Sequence, residues 1–218
     1  MAQPINEPIL GYAPGSSEKS ALMDEVDRQM SEVVEIPCII NGEEIYTGTT
    51  TTQVIPHDHG HILANVHLAG REEMEAACAA AVDAQQAWIE LGLEGRCAVF
   101  ERCADLLAGD WRMRVNASTM LNQSKTVFQA EIDAACELID FFNFNCQFAE
   151  EICNNNPLFL QKAFIIVLSI VPLRDLFVLY HPLISLQLQV TSLQLLLLWE
   201  TWYYGNLHHH LFTLVISS

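Results

Sequence analysis

The feature that most constrains this 218-residue chain is a break in its composition near Pro157. All of the net charge of −17 lies before that point. Residues 154–218 hold only Lys162, Arg174, Asp175 and Glu200 as charged groups, and one glycine and one alanine among many leucines. Residues 1–153 therefore read as an acidic globular unit and residues 154–218 as an apolar tail, with a domain boundary between them. The acidity of the first unit argues against nucleic acid or an anionic membrane surface as partner, since both require a basic patch.

Within residues 1–153 the pattern changes period. An acidic, helical stretch is expected from Lys19 to Glu35. Residues Ile36–Tyr46 read as two short strands around Asn41-Gly42, a dipeptide suited to the positive φ values of a tight hairpin. Residues Gln53–Leu68 read as a second extended pair, with Pro56 and Gly60 marking its turn. Three apolar helical patterns follow. One runs from Glu72 through Met74, Ala77, Cys78, Ala81, Val82, Trp88 and Ile89. The next carries Val99, Phe100, Cys103, Leu106 and Leu107, with Gly109 as its stop. The third, from about Gln129 to Glu151, sets Ile132, Cys136 and Ile139 on one side and places Glu131, Asp133, Glu137 and Asp140 elsewhere. Strands followed by helices predict an α/β or α+β unit.

The seven cysteines are odd in number and include no CxxC pair, so neither a zinc knuckle nor a disulfide framework is predicted. They read as small buried hydrophobes in a reducing compartment. His57, Asp58, His59 and His61 offer imidazole and carboxylate ligands for a metal, but such a cluster reads more simply as a polar turn. No glycine-rich phosphate loop or serine triad is visible. The sequons at Asn116 and Asn122 carry little meaning without secretion. The N terminus shows neither an apolar signal core nor an Arg-rich, acid-poor presequence, since Glu7 and Glu18 fall within it.

Several segments together resemble one known family. The run KTVFQAEIDAACELIDFFNFN (Lys125–Asn145), NEPIL near the start, IPCIINGEEIYT (Ile36–Thr47) and HGHILA (His59–Ala64) look like the delta-1-pyrroline-5-carboxylate dehydrogenase branch of the aldehyde dehydrogenases. The resemblance covers about residues 6–153. It implies the α/β aldehyde dehydrogenase fold in incomplete, N-terminal form, with short strands plus three or more helices.

It also implies a chemistry. Such enzymes oxidise glutamate γ-semialdehyde to glutamate with NAD, by addition of a cysteine thiolate, hydride transfer, and release by a glutamate-activated water. They are implied to be homo-oligomers of the mitochondrial matrix acting on a small-molecule substrate. A glutamate on the third helix helps hold the substrate's amino acid end, and Glu137 stands at that position. Spacing alone favours a solvated helix face there, because Asp133 and Asp140 are carboxylate neighbours of Glu137; the resemblance weighs equally for a substrate contact. The nucleophilic cysteine, the general base and the NAD-binding strands of the family all lie downstream of the matched region. No catalytic role therefore passes to any of the seven cysteines, and NAD is not expected to bind this fragment.

The tail admits two explanations. Read as written, Ala163–Leu173 is too short to span a bilayer, and Leu176–Trp199 is interrupted by His181, Pro182 and three glutamines. A membrane-tethered or interaction protein with an acidic helical front is the alternative reading. Read one base out of phase, Trp199-Glu200 forces glycine, Trp202-Tyr203 forces valine and Tyr203-Tyr204 forces leucine. The shifted text can run GNMVLWKPSSS, which resembles family sequence, and upstream letters permit NSTVYRSL and EGFVCAISPFNFT in the proper order. This predicts a lost reading frame near Pro157 and a tail with no native fold. Unselected apolar letters, and front faces such as Trp88 and Phe141 without their covering elements, predict a marginal or insoluble product.

Overall fold

A computed structural model describes residues 3–154 and the backbone of residues 176–177 and 202–203. The remaining tail, with the expectations that fall on it, lies outside the described residues, as does any test of the boundary at 153. The two tail pairs, Leu176–Phe177 and Trp202–Tyr203, run parallel to one another.

An extended N-terminal strap leads into α1 (Ser17–Ser31), whose N terminus is capped by the Ser16 side chain accepting from the Lys19 N–H. The helix stops four residues before the expected Glu35. Val33 and Val34 are β-branched and favour extended backbone, and Val34–Ile36 becomes strand β1. Next, β2 (Cys38–Ile40) and β3 (Glu43–Ile45) form the anticipated hairpin. Asn41 and Gly42 adopt φ of 53° and 78°, the left-handed pair that this turn requires.

Strands β4 (Thr50–Ile55) and β5 (Asp58–His67) are antiparallel, and β1 lies parallel to β5 on its other edge. The reversal falls at Pro56-His57, where Ile55 pairs with Asp58, and not at Gly60. Between that pair and the Val54–Ile62 pair, His59, Gly60 and His61 bulge out of the ladder. Gly60 thus marks a bulge rather than a turn, the other common place for a strand glycine.

Helix α2 (Arg71–Glu90) is less buried than its apolar pattern implied. Only Ala77 is buried, and Val82 is 68 % exposed. Trp88, by contrast, does find a surface and packs against the main core. Gly92, at φ +66°, turns the chain sharply into α3 (Gly92–Ala108), which ends at Gly109 as expected. Helix α4 (Arg112–Gln123) has no counterpart in the sequence reading. Its polar letters hide its packing, since Arg112, Asn116 and Thr119 are all buried.

The last helical segment starts at a Thr126–Gln129 capping box and runs as α5 (Val127–Ala130), a π segment (Glu131–Cys136) and α6 (Glu137–Asn154). The main core lies where α3 meets α6: Cys97, Phe100, Cys103 and Leu107 against Leu138, Ile139, Phe142 and Cys146. The Phe100 and Phe142 rings stack with centroids 5.9 Å apart. A second cluster of Ile55, Leu63 and Leu121 joins the sheet to α4.

Candidate substrate-end site

Three carboxylates share one side of the last helix at Asp133, Glu137 and Asp140, spaced i−4, i and i+3. Two of them are engaged. Asp133 Oδ2 lies 2.6 Å from Lys125 Nζ in an ion pair. Asp140 accepts two hydrogen bonds from the strap, from Asn6 Nδ2 and from the Glu7 backbone N–H, each 2.7 Å. Glu137, half-buried between them, makes no hydrogen bond or ion pair among the described residues. Partial burial raises the Glu137 carboxyl above the ordinary carboxylate range. The charges of Asp133 and Asp140 add to that rise, and Lys125 opposes it. A lone carboxylate with this surplus of negative charge around it is suited to a cation, and an ammonium group would relieve both the burial cost and the repulsion.

One turn and a half before Glu137 on the same helical segment lies a buried polar network that sequence spacing did not reveal. Glu131 was expected away from the apolar side of its helix with the other acids; it is nonetheless 0 % exposed. Arg112 pairs with it from α4, and also reaches Glu7 and the Pro8 carbonyl. The Glu131 carboxylate further accepts from Tyr12 Oη at 2.6 Å, Asn116 Nδ2 at 2.8 Å and the Leu10 N–H at 2.8 Å. Burial works to raise the Glu131 carboxyl, but hydrogen bonds from Arg112, Tyr12 and Leu10 outweigh it and hold the group below the ordinary range. Tyr12 is pushed up by burial and by its bond to Glu131. Cys136, beside the same charge, is pushed up to about 12 by burial and then by Glu131, which leaves its thiol protonated and inert.

The π segment is part of this arrangement. Its first residue, Glu131, is buried and meets Arg112, while Glu137, the residue that follows it, is half-buried. Strap and π segment thus lock each other. The only sequence signals were weak: a π segment has no compositional mark, and Glu7 and Tyr12 lie more than 100 residues from their partners.

The histidine group falls at the reversal and bulge of the β4–β5 pair. His57 Nδ1 lies 2.7 Å from Ser124 Oγ, and Ser124 itself ends α4 in the left-handed conformation at φ 54°. Among the described residues, no three His, Cys, Asp or Glu side chains gather to hold a metal ion. The N termini of α1, α2 and α5 are each closed by their own capping groups, Ser16, Glu73 and Gln129. Also among the described residues, no helix is long and apolar enough to cross a membrane.

Against this geometry, comparison with known proteins is informative. Residues 45–173 match the aldehyde dehydrogenase family, and the chain belongs to it. It is 42 % identical over 153 residues to the delta-1-pyrroline-5-carboxylate dehydrogenase of Agaricus bisporus, covering 70 % of this chain and 28 % of that protein. It is also 42 % identical over 156 residues to the mitochondrial delta-1-pyrroline-5-carboxylate dehydrogenase of Bos taurus, covering 72 % of this chain and 28 % of that one. A crystal structure of the Mycobacterium tuberculosis delta-pyrroline-5-carboxylate dehydrogenase bound with NAD matches with a TM-score of 0.70 at 42 % identity, over 72 % of this chain and 30 % of that one. The chain therefore spans less than a third of the length of these relatives. Its described strands and helices form the corresponding part of the aldehyde dehydrogenase fold.

Proposed function

We propose that this chain is the N-terminal part of a dehydrogenase that oxidises glutamate γ-semialdehyde to glutamate, with Glu137 binding the substrate's ammonium group. The observation that carries the reading is the isolation of Glu137. Its two carboxylate neighbours are consumed by Lys125 and the strap, and it alone remains free to meet a cation. The identity to named relatives supports the substrate class, and their mitochondrial naming supports the same compartment here. In such an enzyme NAD supplies the hydride acceptor. The NAD-binding strands of such enzymes lie downstream of the matched region, so no step here runs through it. The contribution of the described residues is to orient the substrate: Glu137 fixes the amino end.

For residues 154–218 we propose out-of-frame translation, supported by the forced glycine, valine and leucine and by the ordered family text that the shifted codons allow. On this reading the chain as written does not oxidise aldehydes. Sequencing the transcript across the codons for Asn154–Leu160 tests it. A single-base change in phase, followed by an uninterrupted shifted frame reading GNMVLWKPSSS, is the expected result. A stop codon in that frame, or unrelated residues, would contradict it.

A further inference from the structure

Beside the three carboxylates of the last helical segment stands a fourth charged group, Lys125. It lies in the short connection between α4 and α5, after Ser124 at φ 54° and before the Thr126 cap. Its Nζ meets Asp133 Oδ2 at 2.6 Å, and the two side chains are 22 % and 35 % exposed. An ion pair so open to water adds little to stability. Its effect on the charge around Glu137 is the larger one. Asp140, on the other side of Glu137, is held by two neutral donors, the Asn6 amide and the Glu7 N–H, so its own charge is not cancelled there. Lys125 is the cation that works against the negative build-up at Glu137.

We propose that Lys125 is a specificity-determining residue: by neutralising Asp133 it fits the Glu137 end to a zwitterionic amino-acid aldehyde over an aminoaldehyde that has no carboxylate. This rests on Glu137 meeting the substrate's ammonium group. In an amino-acid aldehyde the ammonium and the carboxylate are attached to one carbon. Wherever Glu137 holds the ammonium, the carboxylate is close by and feels the same field. Two unopposed aspartates flanking Glu137 would attract the one and repel the other, and would so favour the purely cationic aldehyde. With Asp133 neutralised, Glu137 still offers its oxygens to the ammonium, and the weaker field around it admits the carboxylate.

The placement suits that role. Asp133 stands four residues before Glu137, about one helical turn, so its charge acts on the same side of the segment. Lys125 and Asp133 make their pair outside the buried joint of Arg112 and Glu131. Their charges can therefore be removed without stranding a partner in the core.

The test measures kcat/KM for glutamate γ-semialdehyde and for γ-aminobutanal, the same chain without the carboxylate, in the protein translated from the continuous frame. Rates are normalised to propanal, which carries neither charge and so reports whether each variant has folded. Lys125→Met is expected to lower the preference for the amino-acid aldehyde on the order of tenfold, through KM more than kcat, as for one nearby unit charge left unopposed. Lys125→Met with Asp133→Asn removes both charges and should restore most of that preference. An unchanged preference in Lys125→Met, whether from equal losses on both amino aldehydes or from none, would overturn the proposal. So would a double variant no better than the single one. Failure of the underlying substrate assignment shows differently: Glu137→Gln would leave both amino aldehydes unchanged relative to propanal, and the role of Lys125 would fall with it.

Discussion

Arg112 and Glu131 form an ion pair in which neither side chain exceeds 5 % exposure, and it is the joint between the strap, α4 and the π segment. Removing one partner strands the other charge in the core, a loss of about 3–5 kcal/mol. Arg112→Met should therefore lower the urea midpoint severely, and Arg112→Met with Glu131→Met should recover much of the loss. If the double variant is as unstable as the sum of the singles, the pair is not coupled as described.

The same pair sets the response to acid. Glu131 is held below its unfolded value, so its contribution is present above the ordinary carboxylate pKa of about 4.3 and is lost as pH falls through the lower folded value. Urea midpoints should be level from neutrality to about pH 5 and fall below about pH 4. Tyr12 acts at the other end. Its folded value is raised, so its contribution is intact below about pH 10 and is lost as pH rises beyond it. Tyr12→Phe should remove that alkaline loss.

Glu137 should show the cost of a functional position. Its carboxyl is raised by burial and by Asp133 and Asp140, so the folded state disfavours its ionised form at neutral pH. Glu137→Gln should raise the unfolding midpoint at pH 7. A fall would mean that the carboxylate is held by favourable contacts and is not waiting for a cation.

Asp140 is the strap's outer anchor, through Asn6 and the Glu7 N–H. Asp140→Ala should speed amide exchange at Glu7 on the order of tenfold, as expected for losing about 1.4 kcal/mol of local stability. Exchange in α3 should be unchanged.

Local chemistry made some of this legible in advance. Asn41-Gly42 announced its hairpin because few residues adopt two successive positive φ values, and Gly109 announced the end of α3. The wording around Glu137 disclosed the family. What stayed hidden was tertiary. Helix α4 is built from polar letters that serve the interior, Glu131 looks like any surface acid until Arg112 is placed opposite it, and the π turn between Glu131 and Glu137 leaves no periodic trace. The apolar pattern of α2 misled in the opposite sense, because Val82 and Met74 remain exposed.

The most direct test of the account is kinetic. In the protein translated from the continuous frame, kcat/KM should be measured for glutamate γ-semialdehyde and for propanal, which lacks the ammonium group, with and without Glu137→Gln. Loss of a charge-assisted contact of about 1.5–3 kcal/mol predicts a drop of roughly 10- to 100-fold on the amino aldehyde and little change on propanal. An equal drop on both substrates, or none on either, would contradict the assignment of Glu137 to the substrate's amino end.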